Sequence, residues 1–262
     1  YDNGGGTVIV PEGEYLIGSI QIKSNTTFYL KKNAKLTSCK DLSQLKLLQA
    51  IPVDEFLPEV HTANRERLRN WHCALIHIYK SQNVSIIGEE NSIIDGQNLF
   101  NPNGEENYRG PHLISALYGE NLLFKGYTAM HSANWCHCEW LCKNVKFDAI
   151  TILGGHDGID VFGSDNIELI NCKILTGDDC IAGYDNRNVT IKDCTLNSSC
   201  NAFRFGGKNV LIENCYVYGP GEYIHRYSLT QQEKESSYTP TPNEYSNYRH
   251  NLTHFFKYYA DH

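Results

Sequence analysis

The chain of 262 residues carries a formal charge of −7 and ten cysteines. That acidity argues against nucleic acid or an anionic membrane as partner, because either needs a basic stripe to displace counterions. No apolar run approaches the ~18 residues that span a bilayer. A chain of this length buries a full core as one domain, so disulfide staples are not required to hold it.

Taken in chain order, the run from Gly4 to Val10, then Tyr15-Leu16-Ile17, then Asn25 to Leu30 and on to Leu36 reads as short apolar strands separated by turns. It forms a pair of early coils of a stack. Between about 40 and 72 the pattern breaks; Asp41–Ala50 and Arg65-Glu66-Arg67 read as helical or loop excursions, an insertion of the kind that can wall a binding groove. An asparagine followed by apolar-x-apolar then recurs at Asn83, Asn121, Asn144, Asn166, Asn188 and Asn209. After a first interval of 38 the spacings are 23, 22, 22 and 21. A period of ~20–25 residues marks a solenoid. Leucine-rich repeats share the period, but these units alternate with period two, are rich in β-branched residues and turn at Gly, Asn and Asp. The expected fold is all-β: a right-handed parallel β-helix forming a single domain over residues 1–262. Its ends, Tyr1 followed almost at once by strand and a polar segment at about 228–262, read as those of an incomplete stack.

The repeat aligns side chains in columns. Cys172, Cys194 and Cys215 fall at one position of successive coils, ~4.8 Å apart, and read as a buried stack of small hydrophobes. Asn83-Val84-Ser85 and Asn188-Val189-Thr190 match the glycosylation sequon, but asparagines at coil corners are expected to be engaged in backbone and ladder hydrogen bonds. Asn134, Asp157, Asp179 and Asn201 count to a single polar column, with Asp178 beside it. Ile159, Ile181 and Phe203 then point inward, and Asp160, Ala182 and Arg204 project outward. A single aspartate at a corner is usually a turn former. Three in one patch, two of them adjacent, exceed what turns need. Stacked carboxylates cannot all ionise at their reference pKa, which suits an acid and a base for glycoside hydrolysis. The offset of Asp157 and Asp178 in adjacent coils predicts more than the bare strand spacing between them and points to inversion.

Asp157-Gly158-Ile159-Asp160, Asn171-Cys172 and Thr176-Gly177-Asp178-Asp179-Cys180-Ile181-Ala182 resemble the central signature of the polygalacturonase family of glycoside hydrolases. Gly4-Gly5-Gly6-Thr7-Val8, Ile94-Asp95-Gly96-Gln97 and Ser132-Ala133-Asn134-Trp135 support the likeness, which covers most of residues 4–220. The resemblance implies that Asp178 is the general acid, that Asp157 and Asp179 hold and activate water, and that the substrate is a pectin-like acidic oligo- or polysaccharide. Gly155-His156 stand where the family has Asn-Thr, Asn201 replaces the histidine of its Gly-His-Gly element, and no Arg-Ile-Lys element is present. Substrate contacts are therefore sought among Arg204, whose planar fork suits a carboxylate, His156, Asp160, Asn201, Trp135 and Arg226, with His225 beside it. No metal or organic cofactor is indicated: Cys136, Cys138 and Cys142 cluster without paired zinc spacing. Two other readings are a Ca²⁺-dependent pectate lyase with the aspartates as ligands and Arg204 as base, and a non-catalytic carbohydrate-binding solenoid. An extracellular or periplasmic setting suits a pectin-degrading enzyme, with a cytoplasmic one as the alternative.

Overall fold

The computed structural model describes residues 4–45, 73–102, 109–225, 232 and 254–257. Its strands, numbered in chain order, stack in parallel as the three faces of a solenoid. The first face is built from β1 (Gly6–Val10), β4 (Thr26–Leu30), β7 (Gln82–Gly88), β10 (Glu120–Lys125), β13 (Lys143–Asp148) and β16 (Asp165–Ile170). The second is an eight-stranded sheet of β2 (Gly13–Ile17), β5 (Ala34–Ser38), β8 (Ile93–Asp95), β11 (Thr128–Met130), β14 (Thr151–Gly154), β17 (Lys173–Thr176), β19 (Thr195–Ser198) and β21 (Tyr216–Tyr218). The third comprises β3 (Ile20–Ile22), β6 (Ala74–Tyr79), β9 (His112–Leu117), β12 (His137–Trp140), β15 (Ile159–Phe162) and β22 (His254–Lys257). Two long strands, β18 (Ile181–Lys192) and β20 (Asn201–Glu213), run from the third face through the corner into the first of the next coil. The break in the repeat after Cys39 falls between β5 and β6. It opens with a short 3₁₀ turn at Leu42–Gln44 capped by Asp41, and residues 46–72 lie outside the described part.

Period two does what the sequence implies. Val84, Leu122, Val145, Ile167 and Val189 share a register and point inward, fully buried. Each such side chain contributes about 1.5–3 kcal/mol of burial. At the two ends of the described stack the inward residues Val8 and Val210 are 51% and 36% exposed, because each has a covering coil on one side only. The core is not wholly apolar: the buried His137 ring, in edge contact with Phe124 and Phe147, hydrogen-bonds the Tyr127 hydroxyl at Nε2 (3.1 Å) and Glu139 Oε1 at Nδ1 (2.9 Å). The cysteine column is as expected, with Cys172 and Cys194 buried, Cys215 packed against the core and all thiols free.

What fixes the register is the corner before the first face. Asn25, Asn83, Asn121, Asn144, Asn166, Asn188 and Asn209 all adopt left-handed backbone, φ 54 to 59, which asparagine tolerates because its short side chain bonds locally. Their amides form a ladder: Asn83 donates to Asn25 (2.8 Å), Asn121 to Asn83 (3.0 Å), Asn144 to Asn121 (2.8 Å) and Asn166 to Asn144 (2.8 Å). Asn188 departs by donating to Asp165 (2.8 Å), and Asn209 donates to Asn188 (3.0 Å). The amide nitrogens of both sequon asparagines are thus occupied. Asn144→Ala removes two ladder bonds and places an unsupported Cβ in left-handed backbone, so denaturant unfolding should show a loss of about 2 kcal/mol; Asn144→Gly, which keeps the backbone geometry, should lose less.

Candidate active site

The corner between the second and third faces carries the polar strip. Backbone bonds stack it coil on coil: Cys136 N–H donates to Asp157 C=O (2.9 Å), Gly158 to Asp179 (2.8 Å) and Cys180 to Asn201 (3.0 Å). The column is therefore Trp135, Asp157, Asp179 and Asn201. Counting from the corner asparagines placed Asn134 in it. Thr128 pairs with Thr151 and His137 with Ile159, so the chain takes one residue more from Thr128 to His137 than from Thr151 to Ile159, and the count slips by one. Asp160, Ala182 and Arg204 do share the outward column.

Asp157, Asp178 and Asp179 converge, with one oxygen of each within 4.8 Å of the others. Asp157 Oδ1 accepts the Asp179 N–H (3.2 Å), and the Asp178 carbonyl is held by Thr176 Oγ1 (2.8 Å) and by Ser198. All three are buried, so charge must be compensated. Arg204 supplies most of it: its Nε pairs with Asp179, one terminal nitrogen lies 3.6 Å from Asp157 Oδ2, and the other donates to the Tyr184 hydroxyl (2.7 Å). Asn201 donates its amide to the same Asp179. On the opposite side Asp178 Oδ1 lies 3.3 Å from His225 Nε2 and Oδ2 lies 3.8 Å from Arg109.

These surroundings divide the three acids. Burial, reinforced by the charges of Asp178 and Asp179 and opposed by the two arginines, raises the Asp157 pKa well above the carboxylate range. Asp179 is raised too, by burial against the pull of Arg204. Asp178 is the exception: burial pushes it up, but the bond and charge of His225, with Arg109 and Arg204, outweigh it and hold it below the usual range. The surroundings thus favour the protonated form at Asp157 and the ionised form at Asp178.

Of the other residues singled out from the sequence, Asn201 and Arg204 join the cluster, but Arg204 faces the aspartates, so its charge is already engaged. His156 is buried edge-on to Phe100 (5.7 Å) and lines, with Ser132, Asn134 and Asp157, a cavity of about 10 Å³ behind the acids, room for one water. Asp160 is buried and accepts the Trp140 indole N–H (3.1 Å). Trp135 is 3% exposed, tilted against His112 and Trp140, with Arg109 5.8 Å from its ring. Arg226 lies outside the described residues. Sequence reasoning overlooked Arg109, Tyr184 and Cys200. Arg109 sits in the irregular stretch between β8 and β9, off the repeat, and donates to Asn134 Oδ1 (3.0 Å). Beside it Gly110 packs so tightly that a Cβ would meet the Leu99 carbonyl at 2.0 Å. Gly177 is tighter still: a Cβ there would meet the Ile224 carbonyl at 1.9 Å, so glycine lets the segment bearing His225 approach the turn of Asp178.

Residues 5–200 match glycosyl hydrolases family 28. The chain belongs to this family. It is 29% identical over 195 residues to a protein of Vitis vinifera named "Probable polygalacturonase", covering 70% of this chain and 38% of that one. Among solved structures, a hyperthermoactive exopolygalacturonase from Thermotoga maritima superposes with TM-score 0.65 at 20% identity, covering 82% of this chain and 59% of that one. The polygalacturonase of Erwinia carotovora gives 0.62 at 18%, covering 78% and 59%. These likenesses establish the parallel β-helix, and the chain spans 38% of the Vitis relative's length.

Removing the cation from this family 28 site should be costly. Arg204→Met leaves Asp157 and Asp179 buried without compensation, and calorimetry should show a loss on the order of 3 kcal/mol. Adding Asp179→Asn to it should restore part of that loss, the sign of a direct pairing.

Proposed function

We propose that this chain is the catalytic part of an inverting glycoside hydrolase acting on pectin-like acidic polysaccharide, galacturonan or rhamnogalacturonan. The observation that carries the reading is the convergence of Asp157, Asp178 and Asp179 on one corner of a family 28 solenoid, with basic groups on both sides. Asp178 is the general acid. Asp157 and Asp179, linked through the Asp179 N–H and Arg204, orient and deprotonate the attacking water.

Asp178 must be protonated to act, yet Arg109 and His225 favour its ionised form when no ligand is bound. An anionic sugar resolves this. Its carboxylate competes for Arg109 and His225, weakens their hold on Asp178, and lets that acid take up the proton the cluster shares. Binding of the correct charge is thereby coupled to arming of the acid. Arg109 and His225 take the part first assigned to Arg204, whose guanidinium is committed to the aspartates. The closest oxygens, within 4.8 Å, are nearer than the ~6.5–9.5 Å usual between the carboxyl groups of an inverting pair. That separation does not itself argue for inversion, which the anomer of the released reducing end decides.

The lyase reading requires a hard cation among the three aspartates, where Arg204 already pairs with two of them. Calcium-free incubation with polygalacturonate and rhamnogalacturonan oligosaccharides tests the choice. Wild type should release reducing ends of the anomer opposite to the bond cleaved, with no unsaturated product in the near ultraviolet. Asp178→Asn should lower kcat at least 100-fold. Retention at the anomeric carbon, or an unsaturated product, would refute the reading.

A further inference from the structure

Asp178 and His225 also belong to a second cluster, completed by a thiol that the proposed hydrolysis does not use. One donor atom each from Asp178, Cys200 and His225 lies within 4.8 Å of the other two. The three come from separate places: the turn between β17 and β18, the turn into β20, and the segment after β21. Neither general acid catalysis nor charge compensation needs a thiol here.

We propose that Asp178, Cys200 and His225 form a binding site for a borderline-soft divalent cation of the Zn²⁺ class, and that its occupancy switches the enzyme off by taking Asp178 out of catalysis. Ligand bonds of about 2.0–2.3 Å put tetrahedral ligands roughly 3.3–3.8 Å apart. The 3.3 Å between Asp178 Oδ1 and His225 Nε2 is already of that size. Thiolate with imidazole selects Zn²⁺, Co²⁺ or Cd²⁺ over Ca²⁺ or Mg²⁺. Three protein ligands leave a fourth position for water.

The surroundings suit this role. Asp178 divides its oxygens, Oδ2 toward Arg109 and Oδ1 toward His225, so the cation and the guanidinium occupy different sides. Asn201 Nδ2 lies 3.1 Å from Cys200 Sγ, a donor that stabilises a thiolate once formed. The segment carrying His225 is anchored in advance. Asn197 donates to the carbonyls of Tyr218 (3.1 Å) and Pro220 (2.9 Å) and accepts from Glu222 N–H, while Ser199 binds the Tyr223 carbonyl. As the metal–sulfur bond forms, the thiol proton passes to solvent.

Cobalt titration of the full chain tests the site without any assay of turnover. One equivalent of Co²⁺ should produce thiolate-to-cobalt charge-transfer absorption that saturates, disappears in Cys200→Ser, and needs at least tenfold more metal in His225→Gln. Both variants are first checked by circular dichroism. Should Cys200→Ser fail to fold, protection of the wild-type Cys200 thiol from alkylation by Co²⁺ gives the same answer. The inhibition arm rests on the hydrolase reading: Zn²⁺ should abolish release of reducing ends, chelator should restore it, and Cys200→Ser should be at least tenfold less sensitive. Absence of the band in wild type, or its survival in Cys200→Ser, overturns the site. The expected cobalt spectra in a protein without hydrolase activity would sustain the site and overturn only the proposed reaction.

Discussion

Three carboxylates whose nearest oxygens approach within 4.8 Å inside a protein wall cannot be held together by packing alone. Each unpaired ion would cost several kcal/mol of lost hydration. The guanidinium of Arg204, seated between Asp157 and Asp179, is what makes the arrangement tolerable. Arg204 can reach both because it lies on the outward side of β20, in the column that also holds Asp160 and Ala182. That column is straight because corner asparagines in left-handed backbone lock each coil to the next. The chemistry of the site thus depends on a register set at a different corner of the solenoid.

Much of this was legible in the sequence, because a solenoid turns sequence period into spatial column. Ile159, Ile181 and Phe203 point inward, Asp160, Ala182 and Arg204 point outward, and the cysteines stack, all as counted. Counting failed where a corner changed length: Trp135, not Asn134, is level with Asp157. Counting placed Arg204 on the outer face but could not show what it meets there, which is Asp157 and Asp179. Arg109 was invisible to periodicity because it comes from the irregular excursion between β8 and β9, off the repeat. Such excursions carry the residues that vary a shared scaffold.

The division of labour among the acids follows from what flanks each of them. Asp157 and Asp179 lie in the stacked column and share one cation, whereas Asp178 projects from it toward Arg109 and His225. An acid held ionised by basic neighbours is idle until something draws them off. On the proposed reading, the carboxylate of an acidic polysaccharide is the group that does so. The same projection that brings Asp178 to His225 also places it beside Cys200, where the proposed cation site lies.

A crystal structure of the Asp178→Asn variant with a galacturonate oligosaccharide bound tests this arrangement most directly. The expected result is a glycosidic bond seated over positions 157, 178 and 179, with a sugar carboxylate on Arg109 and His225 and Arg204 still paired with Asp157 and Asp179. An oligosaccharide bound along another face, or Arg204 turned away from the aspartates onto the sugar carboxylate, would contradict it.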